Sequence, residues 1–70
     1  MANETLQISL AAARVNANLT QKQFADAVGV SESTVVAWEN GKQLPSFKRL
    51  GKIEAALNFS LNNIKFPRVD

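Results

Sequence analysis

The stretch LTQKQFADAVGVSESTVVAWENGK, residues 19–42, contains the start and stop signals of two short helices. Its first part predicts a helix start, because the Thr20 hydroxyl can accept a hydrogen bond from a free N–H of the first turn and Gln23 can reach back from three residues later. Apolar residues then recur at helical spacing from Phe24 onward. Gly29 follows where a helix ends in the left-handed backbone conformation, which strains other residues. A short helix therefore ends at Gly29.

A second helix is predicted almost immediately after the first. Ser31 can cap its start, and Val35 and Trp38 have the spacing of an inward face. The Asn40-Gly41 pair predicts its end. A helix, a tight turn and a second helix over residues 20–40 predict a helix-turn-helix, whose second helix can enter a DNA major groove. The residues expected on the outward face are Glu32, Ser33, Val36, Ala37 and Asn40.

Many positions of this stretch match one known family. The run resembles the helix-turn-helix family of phage repressors and Cro proteins, often called the XRE family. Residues 45–64, PSFKRLGKIEAALNFSLNNI, are more weakly similar to the last helix and short terminal turn of that family. The resemblance implies an all-α, compact four- to five-helix bundle of the lambda-repressor-like DNA-binding fold, forming one domain over residues 1–70. The matching residues are Thr20, Gln21, Phe24, Ala25, Val28-Gly29-Val30-Ser31, Val35, Trp38 and Glu39-Asn40-Gly41.

Start and stop signals predict further helices on either side. Ser9 can cap a helix of about residues 10–17, with Asn18 as a left-handed stop. Pro45-Ser46 marks the start of a later helix that Asn58 ends. Ser60 can then cap a last single turn at residues 61–63. The apolar stripe expected along the later helix is Phe47, Leu50, Ile53 and Leu57.

The two ends of the chain alternate polar and apolar residues, at positions 5–8 and 63–66. This period is typical of strands, so the termini could pair as a short two-stranded ribbon. Such a ribbon is marginal alone, and the alternative is two disordered ends.

Composition excludes several classes of function. The 70 residues include no cysteine and no histidine. Disulfides are therefore excluded, and few side chains can titrate near neutral pH. The six carboxylates show no metal-ligand spacing, so we expect no enzyme, no cofactor and no small-molecule ligand. The longest apolar runs, such as residues 10–13, have four residues, far fewer than the roughly 18 that span a bilayer. With no basic cluster at the start to mark a secretory signal, we expect a cytoplasmic protein.

The net charge of +2 is unevenly distributed. Residues 1–41 carry two basic and four acidic groups, whereas residues 42–70 carry six basic and two acidic groups. This asymmetry suggests an anionic partner approached partly from the C-terminal half. A solvated surface with no partner is the alternative.

The resemblance places a set of residues against DNA bases, at the N-terminal end of the second motif helix. These are Ser31, Glu32, Ser33 and Ala37, with Thr34 and Val36 close by. Glu32 departs from the expected charge, because no Lys or Arg lies between Lys22 and Lys42. A carboxylate can still accept a hydrogen bond from the cytosine amine, and an apolar side chain can meet a thymine methyl. The alternative is an ordinary solvent-exposed helix face.

A second set is expected to contact the DNA backbone. The resemblance places Gln21 on a phosphate, together with the N–H groups of its helix N-terminus. Asn40 and Lys42 match phosphate-facing positions, although Asn40 can serve only as a helix terminator. Lys48, Arg49 and Lys52, near the start of the following helix, can add positive charge along the backbone, or can simply face solvent.

Two further side chains have structural interpretations. Trp38 could stack on a base, but its spacing from Val35 favours core packing with Phe24 and Phe47. Arg14 and Glu39 match a pair that forms a partly buried ion pair in phage repressors, with an exposed surface pair as the alternative.

The sequence therefore predicts a transcriptional regulator that binds double-stranded DNA, expected to be a repressor and a homodimer on its site. Weak self-association through residues 59–66 is expected in solution. The alternative is a protein-interaction or antitoxin-like module that keeps the fold with weak DNA contacts.

Overall fold

The computed structural model describes residues 7–67, which contain four α-helices, one 3-10 turn and two very short strands. The elements in chain order are β1 (Ile8–Ser9), α1 (Leu10–Asn16), α2 (Gln21–Val28), α3 (Glu32–Glu39), α4 (Phe47–Leu57), the 3-10 turn (Leu61–Asn63) and β2 (Ile64–Lys65). This confirms the predicted helical bundle. No helix in residues 7–67 has the length and apolar character needed to cross a membrane.

The helices begin where capping side chains are available. Ser9 Oγ accepts a hydrogen bond from the Ala12 N–H at 3.0 Å, which starts α1. Thr20 and Gln23 form the predicted reciprocal pair, with distances of 3.0 Å from the Gln23 N–H to Thr20 Oγ1 and 2.8 Å from the Thr20 N–H to Gln23 Oε1. Ser46 precedes α4 without making a side-chain cap bond. In α1 and α2, a short polar side chain thus accepts the N–H three residues later and sets the start of the helix.

A residue with positive φ follows each α-helix, as predicted for Asn18 and Gly29, and the predicted stops Gly41 and Asn58 share this conformation. Asn18 and Asn58 have φ of 63° and 52°, and Gly29 and Gly41 have φ of 78° and 75°. α1 ends at Asn16, one residue before the expected position, because Ala17 is its C-cap.

The two ends of the described chain pair as a ribbon. β1 and β2 are parallel, with Ile8 opposite Ile64 and Ser9 opposite Lys65. Each strand has only two residues, and Ile64 is buried against the helices, so packing supports a pairing that would be marginal alone. Residues 5 and 6 of the predicted alternation lie outside the described residues.

One core joins all the helices. Trp38, predicted to be internal, is 2% exposed, and its ring meets that of Phe24 edge to face with centroids 6.4 Å apart. Val28 from α2 and Val35 from α3 are fully buried, which fixes these two helices against each other. The buried residues are Leu10, Ala13, Phe24, Ala25, Val28, Val35, Trp38, Ile53, Leu57 and Ile64.

Phe47 corrects the predicted apolar stripe. Ile53 and Leu57 are buried and Leu50 is half-buried, but Phe47 is 88% exposed and does not pack with Trp38. Phe47 is the first residue of α4, and helical side chains lean toward the N-terminus of their helix. Its ring therefore extends beyond the end of the helix, past the residues that cover the rest of the stripe.

Candidate nucleic-acid interface

The turn between α2 and α3 is short and hydrogen-bonded. The Val30 N–H donates to the Ala25 carbonyl at 3.0 Å, and the Gly29 N–H donates to the Asp26 carbonyl at 3.3 Å. The Val30 bond needs the left-handed conformation at Gly29, which turns the chain back over the end of α2. Only residues 29–31 separate the two helices, so the direction of α3 is set by this turn and by its buried side.

The face of α3 opposite that buried side carries the residues predicted to read bases. Ser31, Glu32 and Ser33 are exposed, whereas Thr34, Val36 and Ala37 are half-buried. All six therefore lie on the N-cap and first two turns of α3, but only Ser31, Glu32 and Ser33 are fully accessible.

Three hydroxyl groups cluster at the start of α3. Ser31 Oγ lies 3.1 Å from Ser33 Oγ and 2.9 Å from Thr34 Oγ1, and it also accepts the Thr34 N–H at 3.2 Å. Each hydroxyl can donate one hydrogen bond and accept two. The cluster therefore keeps unused donor and acceptor capacity on an exposed surface.

The charge on this face is negative. Glu32 lies in the first turn of α3, where the helix dipole favours a carboxylate, and no basic residue lies in the last turn. The nearest exposed lysines along the chain are Lys42, just past α3, and Lys48, in the first turn of α4. These exposed lysines thus follow the C-terminal end of α3 in the chain.

The loop after α3 is held by backbone bonds. The Asn40 N–H donates to the Val36 carbonyl and the Lys42 N–H to the Ala37 carbonyl, both at 2.9 Å. Asn40 is the C-cap of α3, and its side chain is exposed. Asn40 therefore ends α3 and also leaves its side chain accessible to a ligand.

A polar network joins α1, α2 and α3 behind this face. Glu39 Oε2 accepts from Arg14 Nε at 2.6 Å, and the side chains of Arg14 and Glu39 are only 14% and 6% exposed. Arg14 Nη1 also donates to the Leu19 carbonyl at 2.9 Å, just before α2 begins. Gln21 Nε2 donates to Glu39 Oε1 at 3.0 Å. The pair suggested by resemblance is brought together by the structure, and it is partly buried rather than an open surface pair.

Sequence reasoning missed the contact between Gln21 and Glu39. The resemblance places Gln21 on a phosphate, but the residue is half-buried and its amide is already bonded to a carboxylate. The second Nε2 hydrogen and the amide oxygen are left for a ligand. Nothing in the spacing of residues 21 and 39 signals this contact, which depends on how α2 and α3 cross.

Sequence reasoning also missed the contact made by Arg49. This side chain is half-buried, and its Nη1 donates to the Val28 carbonyl at 3.0 Å, unlike the neighbouring exposed Lys48. A basic residue on α4 thus reaches the end of α2. The lack of any basic residue in the last turn of α2 is a weak signal for such a contact.

Comparison with known proteins agrees with this geometry. The helix-turn-helix family matches residues 10–64, and the chain belongs to that family. No solved structure matches the chain.

Phage control proteins are among the similar proteins. The ImmF control region 10 kDa protein of Bacillus phage phi105 is 36% identical over 56 residues, which cover 80% of this chain and 62% of that protein. The cryptic phage CTXphi transcriptional repressor RstR of Vibrio cholerae is 38% identical over 55 residues, covering 79% and 49%. The chain therefore spans about half to two thirds of the length of these two relatives.

An archaeal protein is matched more completely. An uncharacterized HTH-type transcriptional regulator of Archaeoglobus fulgidus is 39% identical over 51 residues, which cover 73% of this chain and 72% of that protein. The similarity thus extends beyond phages.

Proposed function

We propose that this chain binds double-stranded DNA in a sequence-specific manner and regulates transcription, as a repressor, by placing α3 in a major groove. The observation that carries the proposal is the placement of α3. Its exposed polar residues, Ser31, Glu32 and Ser33, begin three residues after α2, while Val35 and Trp38 anchor α3 in the core. A rigid helix with a free polar face is what a helix-turn-helix inserts into DNA.

The proposed base contacts use the first two turns of α3. Glu32 accepts a hydrogen bond from a cytosine amine, and Val36 or Ala37 meets a thymine methyl group. Ser31 and Ser33 donate to or accept from neighbouring base edges through the hydroxyl cluster.

The proposed phosphate contacts lie around this helix and supply most of the affinity. Lys42 and Lys48 neutralise phosphates beyond the end of α3, and Asn40 and Gln21 donate amide hydrogen bonds to the backbone. The half-buried Arg49, already bonded to Val28, is the least available of these basic residues.

We further propose a homodimer on DNA in the cytoplasm. One domain of this size covers only a half-site, and two-fold sites are read by pairs of such domains about one helical turn apart. Phe59, Leu61 and Phe66 are partly buried against the core, which leaves part of the predicted self-association region accessible. The absence of His and Cys from the sequence supports a role without catalysis.

A second candidate function is a protein-interaction or antitoxin-like module. It is favoured by the exposed apolar side chains of Leu44 and Phe47, at 56% and 88% exposure, and by the carboxylate of Glu32 on the reading face. These features suit a protein surface better than a phosphate backbone.

Selection of bound sequences from a random duplex library separates the two functions. DNA binding through α3 predicts enrichment of one sequence containing an inverted repeat, bound by two copies per duplex. Enrichment of no sequence, with equal weak binding to all duplexes, would contradict sequence-specific regulation and support the interaction module. A single half-site bound by one copy would contradict only the homodimer.

A further inference from the structure

A charged side chain of α4 donates a hydrogen bond to the C-terminal end of α2. The Ala25 and Asp26 carbonyls are satisfied by the N–H groups of Val30 and Gly29. The Val28 carbonyl, the last of α2, instead accepts Arg49 Nη1 of α4 at 3.0 Å. No basic residue lies in the last turn of α2 itself.

This contact is favourable in both charge and geometry. The C-terminal end of a helix carries a partial negative charge, and a cation near it is stabilising. A charged donor also makes a stronger hydrogen bond than a neutral one, and the guanidinium of Arg49 is only half-buried, so its desolvation cost is limited. The bond therefore links α4 directly to the residue that begins the turn.

The glycine in the turn makes room for this bond. Gly29 has φ of +78°, and a Cβ added there would lie 3.1 Å from Arg49 Nη1. Glycine thus permits the left-handed conformation, and a side chain there would make the guanidinium shift by a few tenths of an ångström.

We propose that Arg49 is a positioning residue. From its place on α4 it stabilises the turn between α2 and α3, and so it fixes the orientation in which α3 meets DNA. Arg49 then acts on base recognition through Val28 and the turn, rather than by neutralising a phosphate. The inference rests on the proposed function, since it assigns a role in DNA reading.

The free protein provides the first test, by amide hydrogen exchange of Arg49→Met and of Lys52→Met. Both variants place the same side chain on α4 and remove one positive charge, but Lys52 is exposed. We expect Arg49→Met to accelerate exchange of the Val30 amide about tenfold, as for loss of one charge-assisted hydrogen bond, and to accelerate the Phe24 amide much less. Equal acceleration of both amides would overturn the proposal, because it would report only a loss of global stability.

Arg49→Lys keeps the comparison available if Arg49→Met does not fold. Its single-point donor should weaken the Val28 bond, so preferential acceleration at Val30 is again expected. Uniform acceleration in this variant would equally overturn the proposal.

DNA binding provides the second test, on the duplex selected by the wild-type protein and on an unrelated duplex. Relative to Lys52→Met, we expect Arg49→Met to raise the Kd for the selected duplex about tenfold and to change the Kd for the unrelated duplex little. The slope of log K against log salt should be the same for the two variants. Equal losses on both duplexes, with a slope shallower by about 0.9, would identify Arg49 as a phosphate contact and overturn the proposal. A wild-type protein that binds no DNA would refute the proposed function alone, because the exchange experiment still decides what Arg49 does to the turn.

Discussion

Gln21 Nε2 donates a hydrogen bond to Glu39 Oε1 at 3.0 Å, which ties the first residue of α2 to the last residue of α3. The other carboxylate oxygen of Glu39 accepts from Arg14 of α1. One carboxylate, 6% exposed, thus fixes three helices around the face proposed to read DNA. The relative positions of Gln21, proposed to contact a phosphate, and of α3, proposed to read bases, depend on this same carboxylate.

Removing Arg14 should be strongly destabilising. Arg14→Met leaves the Glu39 carboxylate nearly buried without its cation, so we expect a loss of about 3–5 kcal/mol in the free energy of unfolding. Urea denaturation measures this loss. The double variant Arg14→Met with Glu39→Met should recover much of it, because apolar side chains of similar size often replace a buried ion pair without cost.

The exposed pair of Lys22 and Asp26 is the control for that experiment. Its Nζ and Oδ2 atoms lie 3.7 Å apart, but the two side chains are 72% and 68% exposed. Lys22→Met should therefore change stability by no more than about 1 kcal/mol. Equal losses from Arg14→Met and Lys22→Met would contradict a structural role for the network.

Two glycines should respond to alanine in opposite directions. A Cβ at Gly51, on the exposed side of α4, would meet nothing within 4 Å, so Gly51→Ala should stabilise the protein by about 0.5–1 kcal/mol. Gly29→Ala should destabilise it by at least about 1–2 kcal/mol, because φ there is +78°. Thermal unfolding of both variants provides the comparison, and a stabilising Gly29→Ala would show that the turn is not held in the left-handed conformation.

The sequence was sufficient for most local structure. Short-range chemistry marks where helices start and end. The capping pair Thr20 and Gln23 begins α2 as predicted. Residues with positive φ follow α1, α2 and α4 at the predicted stops Asn18, Gly29 and Asn58. Periodic spacing likewise identified Trp38 as a core residue.

Contacts between helices were predicted less well. Phe47 matches the helical spacing of the apolar residues of α4, but its ring is exposed. Spacing alone does not show whether another element covers the first turn of a helix. The bonds from Arg49 to Val28 and from Gln21 to Glu39 span 21 and 18 residues, and they depend on how the helices cross. The Arg14 and Glu39 pair came from family resemblance, not from any pattern in this chain.

Glu32 should control which sequence is preferred. Glu32→Gln removes a charge that repels phosphates and adds a donor that suits adenine, so binding to unrelated DNA should strengthen. Discrimination at one base pair should fall by about 1–3 kcal/mol. Competition binding against a set of single-base operator variants measures both effects.

Lys42→Ala is the contrasting variant. Loss of a phosphate contact should weaken binding to all sequences similarly and make the salt slope shallower by about one unit. If Glu32→Gln leaves the ranking of operator variants unchanged while Lys42→Ala alters it, the reading face has been assigned to the wrong residues.

Affinity should depend steeply on salt. Since the reading face itself carries no basic side chain, binding must come largely from phosphate neutralisation at its edges, and log K should fall with log salt at about −0.9 per neutralised phosphate. Fluorescence anisotropy of a labelled duplex at increasing salt gives the slope. An affinity that is the same at low and moderate salt would instead favour a protein partner.

An NMR titration of the labelled protein with its selected duplex shows whether α3 lies in a major groove. We predict that the largest amide shift changes fall on residues 31–37, with further changes at Gln21 and Lys42, and that an unrelated duplex perturbs the lysines but not residues 31–37. Shift changes centred on Leu44 and Phe47, or on any surface that excludes residues 31–37, would contradict this placement of α3.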